Sequence, residues 1–255
     1  MENILIIKNI FKINISVYIL ALLAIFTAAF KEFIVIIYLI TIHEIGHSLT
    51  AHIFGIKVKE INIYPLGGIS KFDMDLNINP IKELLILING PLFQEFAYLI
   101  ASILLPTQKD LISIYNYNIL MFNLLPIYPL DGGRLVKIIL DNFFSYKKSL
   151  KLVISISYII LISIIIKMKI ININLIIIVI FLLYLINREE NKINYLYNKF
   201  LLERYLGNYS FKKTKIITNI NNFYRNKKHL IKIDNKYYQE KDILKEKYNK
   251  RYEKY

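Results

Sequence analysis

The sequence contains no cysteine. Disulfides, thiolate metal sites and cysteine nucleophiles are thereby excluded. It has no internal repeat. Nothing in it reads as a nucleic-acid-binding module, so direct nucleic-acid contact is not expected. Acidic residues are scarce, 19 against 33 lysines and arginines, and there are only four histidines. What abounds is apolar: 55% of the chain is hydrophobic. Isoleucine, asparagine and lysine recur throughout, which weakens any argument from a single Asn or Lys.

The apolar residues are unevenly spread. Residues 1–187 hold nearly all the long apolar runs, and residues 188–255 are polar. The second part has 18 Lys and Arg against 8 Asp and Glu, so about +10 of the formal +14 lies there. We therefore divide the chain into a polytopic membrane domain, 1–187, and a basic cytoplasmic tail, 188–255. A basic tail next to membrane spans rests near anionic lipid and obeys the positive-inside rule.

A helix needs about 20 mostly apolar residues to cross the hydrocarbon core. Six segments qualify: 13–30, 33–54, 83–105, 111–130, 149–167 and 170–187. The first resembles a signal peptide in its small residues, but its length and the span after it favour a retained helix. Six spans place both termini on one side. With both in the cytoplasm, that side carries 29 Lys and Arg, and the other keeps Lys31, Lys109, Lys167 and Lys169. The asymmetry supports that orientation.

Between the second and third spans, "IKVKEINIYPLGGISKFDMD" alternates apolar and polar residues and carries Gly67-Gly68. It reads as a strand pair at the membrane face. In the tail, "NKINYLYNKFLLERYLG" has helical spacing with Gly207 as a stop. "HLIKIDNKYYQEKDILKEKY" reads as strand, Asp-Asn turn, strand and helix. The expected fold is an all-α polytopic membrane protein of about six transmembrane helices with a membrane-associated β-hairpin. A small cytoplasmic α/β tail domain completes it.

The chemistry concentrates in "HEIGH". His43 and His47 are four residues apart, so on a helix their imidazoles share one face and can grip one ion. Glu44 lies beside the first and can reach a metal-bound water. A zinc ion lowers the pKa of such a water towards about 7. Ionisable residues inside a span are costly and mark function. A catalytic zinc site needs a third protein ligand. The best candidate is Asp131 in "MFNLLPIYPLDGGRL", after a helix broken by Pro126 and Pro129. Gly132 and Gly133 would let the chain turn and approach the metal. The alternative for Asp131 is ordinary Asp-Gly turn chemistry. His52 is five residues past His47 and points away from the ligand face. His229, in the tail, is not read as a ligand. Glu83 and Glu95 could line the cavity, but no spacing demands it.

HExxH in a span together with a downstream N-x-x-P-x-x-P-L-D-G resembles the site-2-type intramembrane metalloproteases. The resemblance covers about residues 30 to 145. It implies that His43, His47 and Asp131 bind zinc and that Glu44 is the catalytic general base. It places Asn123, Pro126 and Pro129 near the substrate segment, and Gly67 and Gly68 in a membrane-associated hairpin that could pair with an unwound substrate. "NGPLFQE" resembles the family's glycine-proline segment, with Gln94 where many relatives have Asn. That departure puts the substrate-aligning role of the position in doubt.

The early metal motif, the lack of a PDZ-like insert and a CBS-like tail resemble the family's compact six-span sporulation branch. This implies a membrane-associated sigma-factor precursor as substrate, integral membrane inhibitors as partners, and an adenine nucleotide or the substrate at the tail. The alternatives are a housekeeping member that cuts an anti-sigma factor or signal-peptide remnants, and a non-proteolytic zinc-binding membrane transporter.

Overall fold

The computed structural model describes residues 11–65, 67–167 and 173–252. The chain divides into two units: Met1–Met74 with Pro80–Asn123, and Asp75–Asn79 with Leu124–Tyr255.

The first unit opens with β1 (Phe11–Ile13) and α1 (Ile15–Phe26). Asn14 caps α1, its side-chain oxygen accepting from the Ser16 N–H at 3.0 Å. The helix stops after 12 residues because Ala28 takes a left-handed φ of 58°. α2 (Phe30–Ile53) comes next, with 24 residues. At 1.5 Å per residue it spans roughly 36 Å, enough for the hydrocarbon core. The segment after it forms the expected hairpin, β2 (Val58–Tyr64) and β3 (Gly67–Phe72), paired antiparallel. β1 adds to β2 in parallel, giving the order β1-β2-β3.

Alternation along β2 sends Ile61 and Ile63 inward, where they pack with Val17 of α1 and Ile40 of α2. On the other face Glu60 pairs with Lys12, at 2.5 Å, and with Lys71, which ties the three strands together. α3 (Pro80–Leu104) lies along α2, and α4 (Lys109–Leu124) completes the unit. Val35 and Leu39 of α2, Ala101 of α3 and Ile112 of α4 form a second core.

The second unit holds α5 (Asp131–Phe143), α6 (Tyr146–Lys167), α7 (Ile173–Asn191) and α8 (Ile193–Leu206). Beyond them lies a sheet of β4 (Thr214–Ile217), β5 (Lys228–Ile233) and β6 (Lys236–Gln239), closed by α9 (Glu240–Tyr252). Asp234 and Asn235 form the expected turn. Both have positive φ, 45° and 60°, which a two-residue hairpin loop requires. β4 pairs in parallel with β5. Arg204, buried, organises this part: it donates to the carbonyls of Lys227 and Arg225 at 2.9 and 2.8 Å. His229 is also buried, its Nδ1 2.5 Å from Glu240 Oε1, so its role is structural.

The six expected spans all meet helices, with changed limits. Among the described residues three helices, α2, α3 and α6, are long and apolar enough to cross a membrane. α1 is short, α4 ends at Leu124 ahead of Pro126, and α7 carries Arg188, Glu189 and Glu190 at its end. Residues 168–172, inside the sixth expected span and before it, lie outside the described residues. Large apolar side chains stay exposed on the spans, Phe96 and Ile103 on α3 and Ile162 and Ile166 on α6 among them. Such a surface suits lipid rather than water.

Candidate metal centre

α2 carries His43, Glu44 and His47 at its buried face. One ligand atom from each of the three lies within 4.8 Å of the others. The two imidazoles meet edge to face, with centroids 4.7 Å apart, and their Nε2 atoms stand 3.1 Å from each other.

Both rings are held from behind. His47 Nδ1 donates to the Ile86 carbonyl at 2.8 Å. His43 Nδ1 lies 2.9 Å from Gln94 Oε1. A carbonyl oxygen can only accept, so each Nδ1 carries the proton and each Nε2 turns a lone pair to the other. Two lone pairs at that separation repel, and a cation shared between them turns the repulsion into ligation. The donor set therefore fits zinc, which takes neutral imidazole nitrogen.

Local sequence explains the backing on α3. The Ile86 carbonyl of α3 is the acceptor for His47. Gly90 faces the His47 imidazole so closely that a Cβ would overlap it. "NGP" is thus the place where α3 makes room for a ring of α2.

Glu44 is buried and faces the hairpin. Ser70 of β3 donates to its Oε2 at 2.5 Å, and Ser48 Oγ lies 3.3 Å from Ser70 Oγ. A Cβ on Gly68 would overlap the Glu44 carboxyl group. The hairpin therefore comes to the carboxylate itself, and Gly68 is small for that reason.

The remaining expected site residues are spread over both units. Asn123 lies near the end of α4, in the first unit, whereas Pro126, Pro129 and Asp131 belong to the second. Asp131 is buried in the first turn of α5, where the helix dipole favours a carboxylate. Gly132 and Gly133 are helical and pack against the backbone of Leu124, Leu125, Ile127 and Tyr128. Their small size lets that segment fold back on α5, a correction to the expected turn. His52 is exposed, as its spacing implies.

Sequence reasoning misses three residues. Gln94 stands out only as a departure from the family pattern. Nothing in the sequence marks Asn116 or Ser70. Gln94 Nε2 donates to the Asn116 carbonyl at 3.1 Å and to Asn116 Oδ1 at 2.9 Å, and Asn116 Nδ2 donates to Glu95 at 2.8 Å.

Comparison with known proteins agrees with this geometry. Residues 31–111 and 109–166 match Peptidase family M50. The chain belongs to that family. The protease is 30% identical over 210 residues to stage IV sporulation protein FB of Bacillus subtilis, covering 78% of this chain and 73% of that one. It is 34% identical over 136 residues to a zinc metalloprotease of Methanocaldococcus jannaschii, covering 49% and 38% of the two chains. The solved site-2 protease of that archaeon superposes with a TM-score of 0.54 at 26% identity, covering 70% of this chain and 89% of the other. The protein is an intramembrane zinc metalloprotease, and its apolar helices make it an integral membrane protein.

Proposed function

We propose that the protease cuts a membrane-associated precursor of a sigma factor during sporulation, with His43, His47 and Asp131 as zinc ligands and Glu44 as general base. The observation that carries the chemistry is the pair of Nε2 atoms 3.1 Å apart beside a buried carboxylate. When bound, zinc supplies the Lewis acidity that makes water a nucleophile near neutral pH. Glu44 takes the proton from the attacking water and passes it to the leaving amine. Ser70 holds the Glu44 carboxyl group in place meanwhile.

A helical substrate hides its amides, so the cut segment must unwind first. β3 is an edge strand of the described sheet, and its outer edge offers N–H and C=O groups to an extended segment. Gly67, Gly68, Asn123, Pro126 and Pro129 are the residues proposed to meet that segment.

In this reading residues 1–187 form a six-span membrane domain. Residues 188–255 form a CBS-like tail, and both termini are cytoplasmic. Helices at all six positions and the charge asymmetry support it. The identity to a sporulation protein over most of its length supports the sporulation role. Integral membrane inhibitors would then be partners. An adenine nucleotide, or the substrate itself, is the proposed ligand of the tail. A cavity of about 330 Å³ in the second unit is lined by Lys215, Ile217 and Tyr224 of the tail together with Phe144 and Lys148.

Glu44→Gln tests the chemistry. It should keep zinc and lower cleavage by roughly 10²–10⁴-fold, the usual weight of a general base. Full cleavage by that variant would sink the assignment. Co-expression with a sigma-factor precursor tests the substrate. A shortened product with the native chain and none with Glu44→Gln is expected, and no shortened product with either counts against that substrate.

A further inference from the structure

We infer that Gln94 is a positioning residue: its side-chain amide commits His43 to the tautomer that can bind metal. The inference rests on the ligand assignment above and deepens it. His43 and His47 are both held at Nδ1, but by different means. His47 is held by a main-chain carbonyl, which no substitution of that residue alters. His43 is held by the side chain of Gln94, on the neighbouring helix, 2.9 Å away.

An amide can present either oxygen or nitrogen, so its direction must be decided by its other contacts. Here they leave one choice. The far end of Gln94 faces the Asn116 main-chain carbonyl at 3.1 Å, and a carbonyl accepts only. That end must therefore be the NH₂ group. Asn116 Oδ1, at 2.9 Å, takes its second proton. Asn116 is in turn directed by Glu95, whose carboxylate accepts from Asn116 Nδ2 at 2.8 Å. The relay runs Glu95, Asn116, Gln94, His43, and each step fixes the donor of the next. Gln94 Oε1 is left as the acceptor towards His43, so the ring's proton sits on Nδ1 and the Nε2 lone pair faces the metal side.

Gln94 is wholly buried and Asn116 nearly so, which keeps water from competing for these groups. Metal-bound histidines are commonly backed by carboxylates. A neutral amide gives the same direction without placing a charge on the buried faces of the spans, where it is costly. The length of the side chain also matters. Asparagine at this position would be one methylene shorter and could not hold both His43 and Asn116 from the same backbone. The departure from the family pattern at Gln94 thus has a physical use.

The test is performed on the full chain in detergent, with zinc alone as the probe. Chelator competition should show Gln94→Leu binding zinc about 10–100-fold more weakly than the native chain. Gln94→Glu keeps the acceptor towards His43 but loses the donor towards Asn116, so it should recover only part of that loss. In parallel, the metal-free native chain is labelled with ¹⁵N-histidine. With four histidines the signals are few, and His43→Gln identifies the one needed. His43 should carry its proton on Nδ1 in the native chain and shift towards Nε2 in Gln94→Leu. Native zinc affinity in a folded Gln94→Leu overturns the inference. So does a His43 proton on Nε2 in the native chain, which decides the matter even if the leucine variant does not fold. A native chain that binds no zinc, with His43 protonated on Nδ1, overturns instead the ligand assignment on which the inference rests.

Discussion

Gly68 and Gly90 are where backbone comes hardest against the side chains of "HEIGH". A Cβ at Gly90 would strike the His47 ring, and one at Gly68 the Glu44 carboxyl group. The two alanine variants should therefore part company. Gly90→Ala displaces a proposed ligand and should weaken zinc binding about 10–100-fold in chelator competition. Gly68→Ala moves only the base, so zinc should stay while cleavage falls by about 100-fold, the cost of a displacement near 1 Å. Equal zinc loss in both would contradict this division. HEIGH could be read from spacing alone, because helical geometry puts i and i+4 on one face. The glycines' partners could not be read, since they come from other elements.

At the scale of elements, the tail hairpin is the clearest case of local chemistry fixing shape. Asp234 and Asn235 both sit in the left-handed region, which Asp and Asn tolerate better than other residues with a Cβ. Asn235→Val should destabilise the hairpin by about 1–2 kcal/mol, read as lost amide protection across β5 and β6. Asn235→Gly should keep the protection. This turn was legible because its signal is two adjacent residues. β1 and β4 were not. Each is short, and the pairing partner of Phe11 is Ile61, so nothing local announces the strand.

At the scale of the whole molecule, residues 75–79 are built into the second unit, although they join β3 to α3 in the chain. The Leu76 N–H donates to Glu203 at 2.7 Å, Asn77 Nδ2 to the Phe200 carbonyl at 3.1 Å, and Arg225 to the Ile78 carbonyl at 3.0 Å. Burial and the neighbouring Asp75 carboxyl group push Glu203 up to about 7. Asp75 itself is lowered despite its burial, through hydrogen bonds with Tyr209 and Glu203. The folded chain thus keeps a proton on Glu203 that the unfolded chain loses from about pH 4.5. Stability from this contact is full below that pH and declines as pH rises towards 7. The low Asp75 acts only in more acidic solution. Amide protection of residues 75–79, corrected for intrinsic exchange, should therefore fall between about pH 4.5 and 7 and level off above that. Glu203→Gln cannot titrate and should remove the trend. An equal decline in that variant would place its origin elsewhere.

The sequence by itself determined whatever neighbours along the chain impose on one another. The apolar runs became helices, the Gly-Gly segment became a hairpin, and the 3.6-residue period paired His43 with His47 and set Glu44 beside them. Only the tertiary structure decided what stands behind those side chains. Gln94 is 51 residues from His43, and Ser70 is 26 from Glu44. Their roles exist because α3 packs along α2 and β3 crosses over Glu44, and no local period records how far one element slides along another.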